Sequence, residues 1–71
     1  FDIKFNNPIG NQLEFVSNKI ITSITLYNLD GKQIGCSNTN TIQTTNLATG
    51  IYIAKVTSSD DESKIVKVVK D

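Results

Sequence analysis

Few residues in this 71-residue sequence could do chemistry: seven acids, seven lysines, one cysteine and two tyrosines, with no histidine. The densest acidic run is Asp60-Asp61-Glu62, whose oxygens could serve calcium. It lacks the alternating acid and glycine spacing of a calcium loop and has no clear further ligand, so it reads as a solvated turn. Asp2, Glu14 and Asp30 fall in separate stretches, and no spacing pairs them for acid–base work. Cys36, beside Gly35, carries a thiol with no histidine to activate it, and the serines share that limit. Gly10, Gly31, Gly35 and Gly50 occur singly, without a clustered phosphate-cradling loop. The commonest neutral-pH base and metal ligand is missing altogether. The reading is therefore noncatalytic, with no catalytic residue, cofactor or metal site.

Length bounds what must position any functional side chain. A chain of 7.8 kDa makes one small domain, residues 1–71. Area scaling gives roughly 4,400 Å² folded, about 60% of the extended surface being buried. Such a thin core leaves little room for a deep cleft. Balanced charge without arginine gives no electrostatic footprint for nucleic acid. No apolar run approaches the ~20 residues a helix needs to span a bilayer. One cysteine cannot form an internal disulfide, which leaves the redox compartment open. The start at Phe1, without methionine or a basic and apolar leader, reads as a piece of a longer polypeptide.

Ile, Val and Thr make up 23 of the 71 residues, and such branched side chains favour extended backbone. Asparagines fall mostly between the extended runs. Strands are expected at Ile3 to Phe5, Leu13 to Val16 and Ile20 to Tyr27, with Ile20, Thr22, Ile24 and Leu26 on one parity and the last two facing the core. Asp30-Gly31 predicts a tight hairpin leading into Lys32-Gln33-Ile34. Gly35 to Asn40 reads as polar loop, and Thr41 to Thr45 as a weak strand whose one large apolar residue is Ile42. After a turn at residues 46–50, Ile51 to Thr57 reads as the central strand, and Ser63 to Val69 completes a final hairpin. Sheets with one apolar face must cover it, so the expectation is all-β: two packed antiparallel sheets of six or seven short strands.

Ile51 and Ile53 lie opposite Tyr52, Ala54 and Val56, which makes both faces of the central strand partly apolar. They are either buried between neighbouring strands or dock a parent domain or receptor. Tyr27 and Tyr52 suit partly buried positions, ring inside and hydroxyl out. Lys64, Lys67 and Lys70 either protect a terminal edge from indiscriminate pairing or contact a receptor.

Four fragments in order carry a family resemblance: Asn7-Pro8 followed by Leu13; Ile24-Thr25-Leu26-Tyr27-Asn28 with Gly31-Lys32; Leu47 with Gly50-Ile51-Tyr52; and Lys64-Ile65-Val66-Lys67. Together they resemble the type A C-terminal sorting domain of the Bacteroidetes type IX (Por) secretion system. The resemblance implies a small Ig-like β-sandwich without catalytic activity, and secretion of an upstream cargo domain through the periplasm and outer membrane. It implies translocon and shuttle components as partners, then a sortase-like cysteine protease that leaves cargo at the cell surface or extracellular. Asn7 and Pro8 match the family's opening turn, Gly31 and Lys32 its middle hairpin, and Gly50, Ile51 and Tyr52 its central strand entry. Lys64, Lys67 and Lys70 match its basic terminal strand and tail. The recognition or fold motif is expected among these ten residues.

Two departures stand out. The usual aromatic-Pro-Asn-Pro opening is here Phe5-Asn6-Asn7-Pro8, lacking the first proline, and Asp71 follows Lys70 where many relatives end in basic residues. Shape or strand pairing is thus a safer recognition mode than charge alone. The competing classes are an Ig-like adhesive or carbohydrate-binding module of an extracellular enzyme, disfavoured by the lack of tryptophan, and a small enzyme. The isolated domain is expected to be monomeric.

Overall fold

A computed structural model describes residues 2–6 and 9–71. The Asn7-Pro8 opening turn therefore lies outside the described residues. The element order is β1 (Ile3–Phe5), β2 (Gln12–Ser17), β3 (Ile21–Tyr27), β4 (Gln33–Ser37), β5 (Thr41–Gln43), β6 (Gly50–Ser58) and β7 (Ser63–Lys70). They form two antiparallel sheets, ordered β1-β2-β5 and β4-β3-β6-β7, packed as a small Ig-like β-sandwich. The accessible surface is 4318 Å², close to the area expected from chain length.

Alternation builds the core. Leu13 and Phe15 of β2, Ile24 and Leu26 of β3, Ala54 and Val56 of β6 and Val68 of β7 turn inward with Ile9, Ile21 and Ile42. Phe5 tilts against Phe15 with ring centroids 5.2 Å apart. Ile24 and Leu26 face the core as their parity requires, but the pattern breaks N-terminal to them. Ile21 is buried while Ile20 and Thr22 are exposed. A register shift between Ile21 and Ser23 places one extra residue against β6 and flips the parity there.

Residues Gly35 to Ser37 correct the expected loop. They belong to β4, where Gly35, Cys36 and Ser37 pair with Leu26, Thr25 and Ile24. Backbone pairing with β3 makes this strand, so its small side chains gave no periodic signal. A Cβ at Gly35 would stand 3.4 Å from Ile42 Cδ1, so this position lets β5 approach β4 closely. The strand at Thr41 ends at Gln43, not Thr45: Thr44 N still donates to Asn11 O at 2.9 Å, but Thr44 O accepts from Leu47 N at 3.1 Å, which turns the chain away.

Candidate functional site

The terminal strand was the expected seat of recognition, and its alternation divides the three lysines. Lys64, Val66, Val68 and Lys70 share the inward parity; Ile65, Lys67 and Val69 share the outward one. Lys64 is exposed near the strand's start and Lys67 is exposed on the outer face. Lys70 is buried, and its Nζ donates to Gly10 O at 2.7 Å. The three ammonium groups therefore do not form one patch.

Lys70 closes a junction absent from the sequence reading. Gly10 O also accepts from the Thr44 hydroxyl at 2.6 Å, and Thr44 is fully buried. One carbonyl thereby joins the chain after β5 to the end of β7, tying the two sheets together. The backbone reinforces it: Ile9 N donates to Val69 O at 2.7 Å, and Asp71 N donates to Ile9 O at 3.3 Å, a short parallel bridge along the edge of β7. Parity held the clue, since Thr44 shares the face of Ile42. A threonine after a weak strand gives no hydrophobic signal, and nothing in the sequence aims Lys70 at Gly10.

Gly50 opens β6 at φ +156°, and a Cβ there would meet no atom within 4 Å. The demand for glycine is thus conformational rather than steric. Two residues on, Tyr52 packs against the core and its hydroxyl donates to Ala48 O at 2.7 Å. A tyrosine bonding back to backbone a few residues upstream is the corner device of Ig-like sandwiches, and it fixes the 46–50 turn against the strand it precedes. Ile51 is 42% exposed and Ile53 half-buried, both outside the core cluster.

Gly31 sits in the β3–β4 loop at φ 85°, with exposed Lys32 beside it. The Asp-Gly pair does not make a two-residue turn with both centres left-handed, because Asp30 is not at positive φ. The loop spans Leu29 to Gly31: Gly31 N donates to Asn28 O at 3.0 Å, and Asn28 N to Lys32 O at 3.0 Å. A three-residue loop needs only its last residue in the left-handed region.

Open grooves mark the surface of the described residues. One of about 490 Å³ lies between the β2–β3 link and the Asn38 to Asn40 loop and holds Lys19. Another of about 320 Å³ holds Lys4 and Glu14, and a third of about 400 Å³ between β4 and β5 holds Cys36. None joins a nucleophile to a base. Among the described residues, no three His, Cys, Asp or Glu side chains cluster as metal ligands. In the acidic turn, Asp60 lies 3.0 Å from Lys19 Nζ, and Glu62 pairs with the same ammonium. That pairing holds the Lys19 ammonium above its ordinary pKa, chiefly through Glu62, and the Glu62 carboxyl below its own, chiefly through Lys19.

Residues 5–71 match the family model described as "Secretion system C-terminal sorting domain". The match runs from the end of β1 through the Lys70 junction and includes every element of the four-stranded sheet. No curated protein matches this chain.

Proposed function

Because the chain belongs to the C-terminal sorting-domain family of the Bacteroidetes type IX secretion system, we propose that residues 1–71 act as one noncatalytic address that directs attached cargo across the outer membrane. The observation that carries this reading is the extent of the match, which covers both sheets rather than a terminal peptide. The signal is then a folded surface. Type IX translocon and shuttle components read it, and a sortase-like cysteine protease afterwards removes the domain, leaving cargo at the cell surface or released. The catalytic thiol belongs to that protease, and Cys36 has no part in the step.

The β6–β7 hairpin is the region we assign to recognition. Gly50 and Tyr52 shape its entry, Lys64 and Lys67 present charge, and Lys70 contributes by holding the strand end against Gly10. Fusion of residues 1–71 behind a leader and a neutral reporter should give export in a host with the type IX machinery and none in a host lacking it. Equal export of the reporter without residues 1–71 would overturn the reading. Direct glycan binding by the purified domain, with no export deficit on its deletion, would favour an adhesive module instead.

A further inference from the structure

The chain's neutral charge hides a segregated surface. No strand of the β4-β3-β6-β7 sheet contains an Asp or Glu, whereas the same strands carry Lys55, Lys64, Lys67 and Lys70. The acids stand elsewhere: Glu14 on the other sheet, Asp30 and Asp60 to Glu62 in turns, and Asp2 and Asp71 beyond strand ends. Lys70 points into the sandwich, which leaves Lys55 and Lys67 as the lysines on the sheet's outward parity.

Register arranges these two among apolar side chains. Lys55 lies opposite Ile65, Lys67 opposite Ile53, and Ile51 opposite Val69. Directly opposed residues of an antiparallel pair share a face, and the buried Ala54, Val56 and Val68 fix the alternate set as inward. The outer face is thus a chequerboard of lysine and isoleucine extended by the Ile51–Val69 row. Ile65 is 69% exposed, although shorter or more polar side chains would serve a purely solvated sheet face. Lys55 and Lys67 are diagonal neighbours, about 7–8 Å apart by strand geometry, with no carboxylate on the sheet to offset their repulsion.

We propose that this outer face docks a protein surface presenting carboxylates beside apolar side chains, and that the contact is the recognition step of export. The proposal rests on the sorting reading above and adds the face and the chemistry of its partner. Charge argues against the other occupants. A second copy laid face to face would oppose lysine to lysine. An anionic membrane would gain about 1 kcal/mol from each of two outward lysines, short of the four to eight basic residues of an electrostatic lipid anchor.

The test is export of the reporter fusion carrying Lys55→Glu, Lys67→Glu or both, beside Lys4→Glu on the other sheet, with thermal melts of each purified domain. Each reversal at Lys55 or Lys67 should lower export, and the double reversal should lower it at least about tenfold. Lys4→Glu should export as the unaltered domain does, and Lys55→Arg with Lys67→Arg, which keeps the charge, should export better than the double reversal. If the double reversal melts early, Lys55→Gln with Lys67→Gln replaces it with the same expected direction. Undiminished export of the folded double variant overturns the proposal, as does an equal loss from Lys4→Glu, which would make net charge the determinant. Binding of the domain to phosphatidylglycerol-rich vesicles that the double reversal abolishes would overturn it in favour of lipid. Failure of the unaltered fusion to use the machinery is a separate result, which removes the sorting reading and this proposal with it.

Discussion

The β3–β4 and β6–β7 hairpins close through loops that share three hydrogen bonds and differ in chemistry. In the first, Asn28 N donates to Lys32 O, Gly31 N to Asn28 O, and Asp30 N to Asn28 Oδ1, each at 3.0 Å. In the second, Ser58 N donates to Glu62 O at 2.8 Å, Asp61 N to Ser58 O at 3.1 Å, and Asp60 N to Ser58 Oγ at 3.3 Å. Both put the third loop residue in the left-handed region, Gly31 at φ 85° and Asp61 at φ 64°. Glycine adopts that conformation freely; aspartate tolerates it at some cost. What the second loop gains is charge, since Asp60 and Glu62 both reach Lys19 in the β2–β3 link. Ser59 N also donates to Ile20 O at 2.9 Å, joining the same two segments through the backbone. One loop is built to close a hairpin, while the other also ties that hairpin to the β2–β3 link.

The comparison breaks most visibly at Gly31. Gly31→Val should lower unfolding free energy by about 1–2 kcal/mol, because a β-branched residue is forced into the left-handed region with no steric contact to blame. Denaturant unfolding of the purified domain measures it, and an unchanged midpoint would mean that positive φ is not what selects glycine there. Gly31→Asp should cost less than valine, since the β6–β7 loop already accommodates aspartate. The reciprocal change, Asp61→Gly, should raise stability by about 0.5 kcal/mol, as relief of strain is partly offset by a more flexible unfolded chain. A loss instead would show that the Asp61 side chain has a role beyond its backbone.

Legibility followed periodicity. β6 and β7 were readable because their inward residues alternate without interruption from Tyr52 to Val56 and from Val66 to Val68. β3 was readable only after Ser23, since the register shift at Ile21 preserves composition while reversing parity. β4 was half lost because Gly35, Cys36 and Ser37 owe their strand to pairing with Leu26, Thr25 and Ile24 of β3 rather than to their own side chains. Of the candidate site, the family fragments located β6 and β7, and the exposed lysines could be named from sequence. Which way each lysine points required the strand's phase relative to the core. The Lys70–Gly10–Thr44 junction joins positions 60 and 34 residues apart through polar groups, and no local pattern encodes such a contact.

The smallest expected effect concerns the charge that distinguishes the acidic loop. Lys19 is half-buried and Glu62 exposed, so their pairing stays open to solvent, contributes little and weakens with salt. Its sign with pH is nonetheless fixed. Glu62 has a folded pKa below its ordinary 4.5, so its stabilisation is complete above that value and is lost as pH falls through the lowered one. Lys19 has a folded pKa above its ordinary 10.5, so its share is complete below that value and is lost as pH rises through the raised one. Between the two limits Lys19→Met should reduce stability by a small, constant amount, and the gap to the unaltered domain should narrow beyond either limit. Melts across pH at low salt measure this. A gap unchanged in strong acid would show that the loss does not come from the ion pair, leaving the backbone bond from Ser59 to Ile20 as the tie between the β6–β7 hairpin and the β2–β3 link.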